Sequence, residues 1–146
     1  MSDMSEGGES RRRVGSGADA DMSGYSGLVR DHFENPRNPG ELADADAVGY
    51  QTNPVCGDTM RLTLRINGGR VVEARFQTSG CPAAIATSSV CTEMIRGQTL
   101  AEAEALTKED YAAALGGLPA GKMHCSVLAT DTVRAAAADY LRRTAH

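Results

Sequence analysis

A β-hairpin is the feature of this sequence that most restricts its fold. Residues 60–66 alternate strictly between apolar and polar side chains, which is the pattern of a strand with one buried face. The turn-forming sequence Asn-Gly-Gly follows at residues 67–69, and the alternation then resumes. We therefore expect Val72, Ala74 and Phe76 to lie on the buried face of a second, antiparallel strand.

Further elements are predicted on both sides of the hairpin. A third strand is predicted over residues 47–52, because Val48 and Tyr50 are of types common in strands. Apolar side chains at helical spacing, bounded by Pro, Thr, Asn or Gly, predict helices elsewhere. The helices are expected within residues 25–33, from Pro82 to a stop at Gly97, over 99–106, over 107–115 and over 125–143. Strands followed by helices indicate an α+β domain, with a small antiparallel sheet of about three strands and helices packed on one face.

The polar N-terminal stretch divides the chain. Residues 1–23 lack apolar periodicity, so we predict a disordered tail there and one folded domain over residues 24–146. The basic run at residues 11–13 lies among acidic side chains, which argues against a transit peptide. A net charge of −4 argues against nucleic acid as a partner. No secretory signal and no apolar run near the roughly 20 residues that span a bilayer are visible, so we expect a cytoplasmic protein without a membrane partner.

Cysteines are the residues most suited to chemistry, and they stand at positions 56, 81, 91 and 125. In a chain without a secretion signal, they favour metal binding or catalysis over disulfide bonds. Cys56 and Asp58 lie in a turn-prone stretch before the hairpin, where both can face one point or can be ordinary turn residues. Cys81 precedes Pro82 at a predicted helix start, where the helix dipole favours the thiolate that binds metal.

His124 and Cys125 are adjacent at the predicted start of the final helix. Both side chains can face one site there, because a helix start is irregular. Lys122 can stabilise a nearby thiolate or can be an ordinary solvated lysine. Cys91 is excluded from the site because ten helical residues separate it from Cys81 by roughly 15 Å, and we expect a small buried side chain there. The spacings of 25 and 44 residues between the other three cysteines match no zinc finger or ferredoxin, so they identify no metal.

Separated segments of the chain carry a resemblance to a known family. They are Asn35-Pro36-Arg37-Asn38, Cys56-Gly57-Asp58, Phe76-Gln77-Thr78-Ser79-Gly80-Cys81, Ala84-Ile85-Ala86-Thr87-Ser88-Ser89, Thr92-Glu93 and Lys122-Met123-His124-Cys125-Ser126-Val127-Leu128-Ala129. In order and spacing they resemble the IscU family of iron-sulfur cluster scaffolds, over residues 25–140. The resemblance is to the IscU or NifU N-terminal type, since SufU-type proteins carry an insertion and lack the histidine.

The resemblance implies a function and a set of site residues. It implies a scaffold, rather than a turnover enzyme, that assembles a labile [2Fe-2S] cluster from iron and transfers it to apoproteins. Sulfur would come from a pyridoxal-phosphate cysteine desulfurase, and the other implied partners are iron or electron donors such as a frataxin-like protein and ferredoxin. By motif, the site is Cys56, Asp58, Cys81, His124 and Cys125, with Cys125 as the sulfur acceptor. Whether Asp58 or His124 is the fourth ligand stays open, as does the oligomeric state, a homodimer included.

One segment departs from the family pattern. The branch served by a dedicated Hsp70-type chaperone has Leu-Pro-Pro-Val-Lys before the His-Cys pair, whereas this chain has Leu-Pro-Ala-Gly-Lys at residues 118–122. The departure argues against recognition by that chaperone. Because the sequence ends at His146, the additional cluster domains of a NifU context are not expected.

Two other functions fit part of the pattern. Cys56, Asp58 and Cys81, with Cys125 or His124, would complete a tetrahedral zinc shell, which makes a zinc-binding structural or sulfur-acceptor protein the main alternative. Zinc in a purified sample would not decide between the two, because an empty scaffold site also captures zinc. A cysteine enzyme with His124 as base and Cys125 or Cys81 as nucleophile is disfavoured, since adjacent residues rarely align for proton transfer and no oxyanion-hole motif is visible.

Overall fold

Three antiparallel strands form the sheet in the computed structural model, which describes residues 23–145. They are β1 (Ala47–Thr52), β2 (Thr59–Asn67) and β3 (Arg70–Ser79), in the order β1-β2-β3. Gly68 and Gly69 have φ of 64° and 78°, which is the backbone that a two-residue hairpin turn of type I′ requires. The predicted hairpin and third strand are confirmed. The predicted tail, residues 1–23, lies outside the described residues apart from Ser23.

A β-bulge changes which side chains of β3 are buried. Arg65 pairs with Glu73, whereas Ile66 pairs with Val71, so Val72 is an extra residue on β3. Val71 is therefore buried with Ala74 and Phe76, and Val72 is 44% exposed. The expectation that Val72 faces the core was wrong, because one inserted residue reverses the alternation on one side of the bulge.

The helices begin and end close to the predicted positions. They are α1 (Gly27–Glu34), α2 (Pro82–Ile95), α3 (Leu100–Ala105), α4 (Lys108–Ala114) and α5 (Met123–Thr144), with a 3₁₀ turn at Ala120–Lys122. Thr99 and Thr107 each form a capping box, which explains the starts of α3 and α4. The last helix begins two residues before the predicted start at Cys125. In the described part of the chain, no helix is long and apolar enough to cross a membrane.

The core lies between one face of the sheet and the helices. α5 packs against β1 and β2, α2 packs against β3, and α1 packs on α2. Met60, Leu62 and Leu64 are fully buried on this face, as the alternation in β2 predicted. At Gly49 a Cβ atom would lie 2.8 Å from the backbone nitrogen of Ala136, so a glycine in β1 allows the close approach of α5. The predicted α+β fold with helices on one face is confirmed.

Candidate metal centre

Three segments meet at one end of the sheet. Thr52 pairs with Thr59 and Thr59 with Ser79, so the β1–β2 loop (residues 53–58) and the β3–α2 junction lie side by side. Because α5 packs along β1 and β2, its first turn reaches the same end. The loop carries two of the predicted site residues, the junction one and the helix two, and they are Cys56, Asp58, Cys81, His124 and Cys125.

These five residues form two overlapping groups of metal-ligating atoms. The first group is Cys56, Asp58 and His124, and the second is Asp58, Cys81 and Cys125. Within each group the donor atoms all lie within 4.8 Å of one another. Asp58 belongs to both groups and is the residue that joins them. The structure therefore brings together residues from sequence motifs that lie up to 69 positions apart (125 − 56 = 69).

Cys81 occupies the N-cap of α2; its Sγ atom makes no capping hydrogen bond, but the Ala84 amide lies near enough to stabilise its thiolate. Its backbone carbonyl accepts hydrogen bonds from the amides of Ala84 (3.0 Å) and Ile85 (3.1 Å), and Pro82 stands at the first helical position. The helix start thus uses the backbone of Cys81 and leaves the Sγ atom available to a ligand. This local structure follows from the sequence Gly-Cys-Pro between a strand and a helix.

The Cys81 and Cys125 thiols share a proton. Their Sγ atoms are 3.7 Å apart, which is too far for a disulfide bond and within reach of a sulfur hydrogen bond. The hydrogen bond from Cys125, helped by the Ala84 amide and by the Lys122 ammonium, lowers the pKa of Cys81 to about 6. The pKa of Cys125 is raised, because its proton is held in that same bond and because the side chain is buried. In the metal-free protein the thiolate therefore resides on Cys81.

Asp58 is held close to the pair by the shape of the junction. The residue is 7% exposed, and its Oδ2 atom lies 3.7 Å from the Sγ of Cys81. A Cβ atom on Gly80 would lie 2.5 Å from the Asp58 Cγ atom, so only a glycine at position 80 leaves room for the carboxylate. Sequence reasoning used Gly80 only as part of a motif, since a close approach between residues 22 positions apart (80 − 58 = 22) has no local signal.

Tyr25 and Lys122 lie near the thiol pair. Tyr25 packs against the buried cluster that contains Ala83, Ala84 and Cys125. The Lys122 ammonium lies near its hydroxyl, and the Cys81 thiolate is the main cause of a raised pKa at Lys122. Sequence reasoning proposed Lys122 as a neighbour of a thiolate but missed Tyr25, which it interpreted only as the start of α1.

Cys91 lies apart from the site. It is fully buried in α2 and belongs to neither group of ligating atoms. Burial raises the pKa of its thiol to about 12, so it stays protonated and inert at neutral pH. Its neighbour is the buried hydroxyl of Tyr111, for which no nitrogen or oxygen partner is present among the described residues. This placement agrees with the exclusion made from helix geometry.

The donor set suits a soft metal ion or an iron-sulfur cluster. Thiolates are soft ligands that bind iron-sulfur clusters and zinc, whereas a carboxylate or an imidazole is a poorer ligand for a cluster normally held by four thiolates. The second group supplies two thiolates and the first supplies one, with Asp58 between them. Cys56 is exposed at the outer edge of the site.

Comparisons with known proteins show the family of this chain. The family described as NifU-like N terminal domain matches residues 24–146. The chain is 54% identical over 119 residues to the iron-sulfur cluster assembly scaffold protein IscU 1 of Archaeoglobus fulgidus, which is 82% of this chain and 78% of that protein. It is 47% identical over 120 residues to the iron-sulfur cluster assembly scaffold protein IscU of Escherichia coli K12. That match covers 80% of this chain and 93% of that protein.

Solved structures share the fold. The crystal structure of FiSufU from Fervidobacterium islandicum aligns with a TM-score of 0.64 at 23% identity, over 80% of this chain and 98% of that one. The N-terminal part of a NifU-like protein from Brucella abortus aligns with a TM-score of 0.53 at 24% identity, over 82% of this chain and 86% of that one. With the match over residues 24–146 and the identity to the IscU proteins, this chain belongs to the family of the NifU-like N-terminal domain.

Proposed function

We propose that this chain is a scaffold on which an iron-sulfur cluster is assembled and from which it is passed to recipient proteins. The observation that carries the proposal is the pair of overlapping ligand groups, in which Asp58 joins Cys56 and His124 to the Cys81–Cys125 pair. The identity to IscU proteins described as iron-sulfur cluster assembly scaffolds supports it. The protein acts in this proposal as a binding platform and not as a turnover catalyst.

The cargo is a labile [2Fe-2S] cluster. Cys56, Cys81 and Cys125 supply three thiolates, and Asp58 or His124 supplies the fourth ligand. A hard or neutral fourth ligand binds the cluster more weakly than a thiolate, which suits a site that must give up its cargo. Zinc binds the same mixed set of donors, so it is expected to occupy the site in protein purified without iron.

Sulfur is received at Cys125 from a cysteine desulfurase. In this step the Cys125 thiol gives its proton to the Cys81 thiolate, 3.7 Å away, and the resulting Cys125 thiolate attacks the terminal sulfur of the desulfurase persulfide. The sulfur–sulfur bond of the donor breaks, and the desulfurase cysteine leaves as a thiolate. Cys125 is 1% exposed, so the step requires movement of the side chains over it, Tyr25 among them.

This role defines the other partners. Iron or electrons come from donors such as a frataxin-like protein and ferredoxin, and recipient apoproteins take the finished cluster. The proposal places the protein with these partners in the cytoplasm. Recognition by the dedicated Hsp70-type chaperone is not part of the proposal, because residues 118–122 depart from the motif that it binds.

Anaerobic reconstitution tests the proposal. The protein is incubated with iron, cysteine and a desulfurase, followed by visible and Mössbauer spectroscopy and by transfer to an apo-ferredoxin. We expect the spectra of a [2Fe-2S] cluster and its appearance on the ferredoxin. A protein that retains zinc, forms no cluster and transfers nothing would instead support the structural zinc site, for which the two three-donor groups are the favouring observation.

A further inference from the structure

Asn53, at the start of the β1–β2 loop, uses all of its polar groups. Its backbone amide donates to the carbonyl oxygen of Asp58 (2.8 Å), and its own carbonyl accepts from the amide of Gly57 (2.7 Å). Its side-chain Oδ1 accepts from the amide of Val55 (2.8 Å), and its Nδ2 donates to the backbone carbonyl of His124 (3.1 Å). The residue is 7% exposed, so these bonds are shielded from water.

The tip of this loop is exposed to solvent. Val55 is 79% exposed and Cys56 is exposed, so neither side chain anchors the loop by packing. Within the part of the chain that the structure describes, the bond from Asn53 to His124 is the hydrogen bond that joins this loop to α5. The distance between Cys56 and His124 in the first ligand group therefore depends on that bond.

We propose that Asn53 is a positioning residue, which fixes the loop carrying Cys56 to the first turn of α5 and so completes the group of Cys56, Asp58 and His124. The inference rests on the proposed function and deepens it, because Asn53 acts on the site by positioning Cys56. Of the second group, Cys81 lies at the β3–α2 junction and Cys125 on α5, both outside this loop, whereas Asp58 lies at the end of the loop beside Gly80. Loss of the Asn53 bond should therefore loosen Cys56 and leave Cys81 and Cys125 in place.

An amide is required because the residue accepts one bond and donates another. Asn53→Asp keeps an oxygen to accept from the Val55 amide, but it has no donor for the His124 carbonyl and places a second oxygen against it. This variant separates the bond to α5 from the turn within the loop. Asn53→Ala removes both side-chain bonds and should have the larger effect.

The test measures which cysteines a bound metal ion protects. The metal-free full-length protein is loaded with Co²⁺ alone, treated with iodoacetamide under anaerobic conditions, and the modification rate of each cysteine is determined by mass spectrometry. In the wild type we expect slow modification of Cys56, Cys81 and Cys125. In Asn53→Asp we expect Cys56 to react about tenfold faster, the factor that corresponds to a lost hydrogen bond worth roughly 1.4 kcal/mol, with the other two still protected.

Two controls separate an effect on Cys56 from a general effect of the substitution. Cys91 is fully buried and should stay unmodified in every folded variant. Asn38→Asp makes the same chemical change at a residue whose Nδ2 donates to Thr92 at 3.1 Å, away from the site, and should leave Cys56 protected.

Several outcomes would overturn the inference. Cys56 protected equally in Asn53→Asp and the wild type would show that the bond does not position it. Equal loss of protection at Cys56, Cys81 and Cys125, with or without Cys91, would show a general effect on the fold. Fast modification of Cys56 in the Co²⁺-loaded wild type would show that Cys56 does not bind the metal ion with Asp58 and His124. None of these measurements uses a desulfurase or a cluster, so failed cluster assembly beside the expected Co²⁺ pattern would contradict only the proposed function.

Discussion

The chemistry of the metal-free site is decided by the proton between Cys81 and Cys125. A hydrogen bond from Cys125 stabilises the Cys81 thiolate, with the Ala84 amide and the Lys122 ammonium adding to it. Burial and the same bond keep Cys125 protonated. The two cysteines therefore differ in charge, because Cys125 donates the hydrogen bond and stays neutral whereas Cys81 accepts it as a thiolate.

This pair predicts a pH dependence of alkylation in the metal-free protein. A lowered pKa means that the Cys81 thiolate persists to lower pH, so its iodoacetamide reaction should be half-maximal near pH 6 and reach a plateau above that. Cys125→Ala removes the donor and should move the midpoint upward, toward the ordinary thiol value of about 8.5. Rates at each pH, measured on the Cys81 peptide by mass spectrometry, check this. An unchanged midpoint in the variant would contradict the shared proton.

The Asp58 carboxylate should favour release of the cluster. It is a hard ligand that adds negative charge beside the thiolates. In Asp58→Ala we expect a cluster that persists longer on the scaffold and transfers more slowly to an apo-ferredoxin. Transfer half-times of the reconstituted proteins, compared with exposed Asp131→Ala as control, give the measurement. Equal or faster release from Asp58→Ala would mean that Asp58 is only a turn residue.

Gly80 should be irreplaceable because of Asp58. The Cβ atom of Gly80→Ala would meet the Asp58 Cγ atom at 2.5 Å, whereas Gly27→Ala, in open space, is the matched control. We expect Gly80→Ala to lower the free energy of unfolding by about 1–3 kcal/mol, measured by urea denaturation, and Gly27→Ala to lower it little. Adding Asp58→Ala should recover only part of that loss, because it removes the carboxylate but keeps the Asp58 Cβ atom, which would lie 2.9 Å from the new methyl group. No recovery at all in the double variant would place the strain elsewhere.

At the scale of the elements, α2 carries one cysteine proposed as a ligand, at its start, and one that packs in the core. Cys81 is at its N-cap, and Cys91 is buried further along it. We expect serine variants of the three site cysteines, Cys56, Cys81 and Cys125, each to abolish stable cluster binding. Cys91→Ala should retain the cluster and cost about 1 kcal/mol of stability. Visible spectra after reconstitution distinguish the cases, and a cluster lost only in Cys91→Ala would reverse the assignment.

Other family motifs serve the contact between α1 and α2. The hydroxyl of Ser89 lies 2.8 Å from the His32 Nδ1 atom and accepts from the Arg37 amide at 2.8 Å. Asn38 donates to the Thr92 hydroxyl at 3.1 Å. These bonds satisfy polar groups buried on α2 and place α1 so that Tyr25, just before it, lies near the thiol pair. A motif can thus act on the site through the orientation of a helix.

At the scale of the whole molecule, we expect the site to depend on residues 24–146 and not on the N-terminal residues. Residues 1–22 are polar and lack a core-forming pattern, so their removal should leave the fold and the cluster site intact. We expect nearly unchanged melting temperature and reconstitution yield, measured by calorimetry and visible spectra. A large fall in either would show that these residues contribute to the domain or to the site.

The sequence by itself determined the elements and the identity of the thiols. The hairpin, the capping-box helices and the Cys81 N-cap follow from patterns within a few residues, and separated motifs pointed to Cys56, Cys81 and Cys125. Local signals of this kind act through backbone preference and one-sided burial, which a reader of the sequence can recognise.

Only the tertiary structure decided how these residues act on one another. Val71 replaces Val72 in the core because of a bulge that pairing with β2 creates. Asn53 reaches His124 across 71 positions, and Cys125 reaches Cys81 across 44. Such contacts depend on how the sheet end, the junction and α5 pack together, and no periodicity or spacing along the chain encodes them. The candidate ligands could therefore be named in advance, whereas the contact between the two thiols and the bond from Asn53 to His124 required the folded molecule.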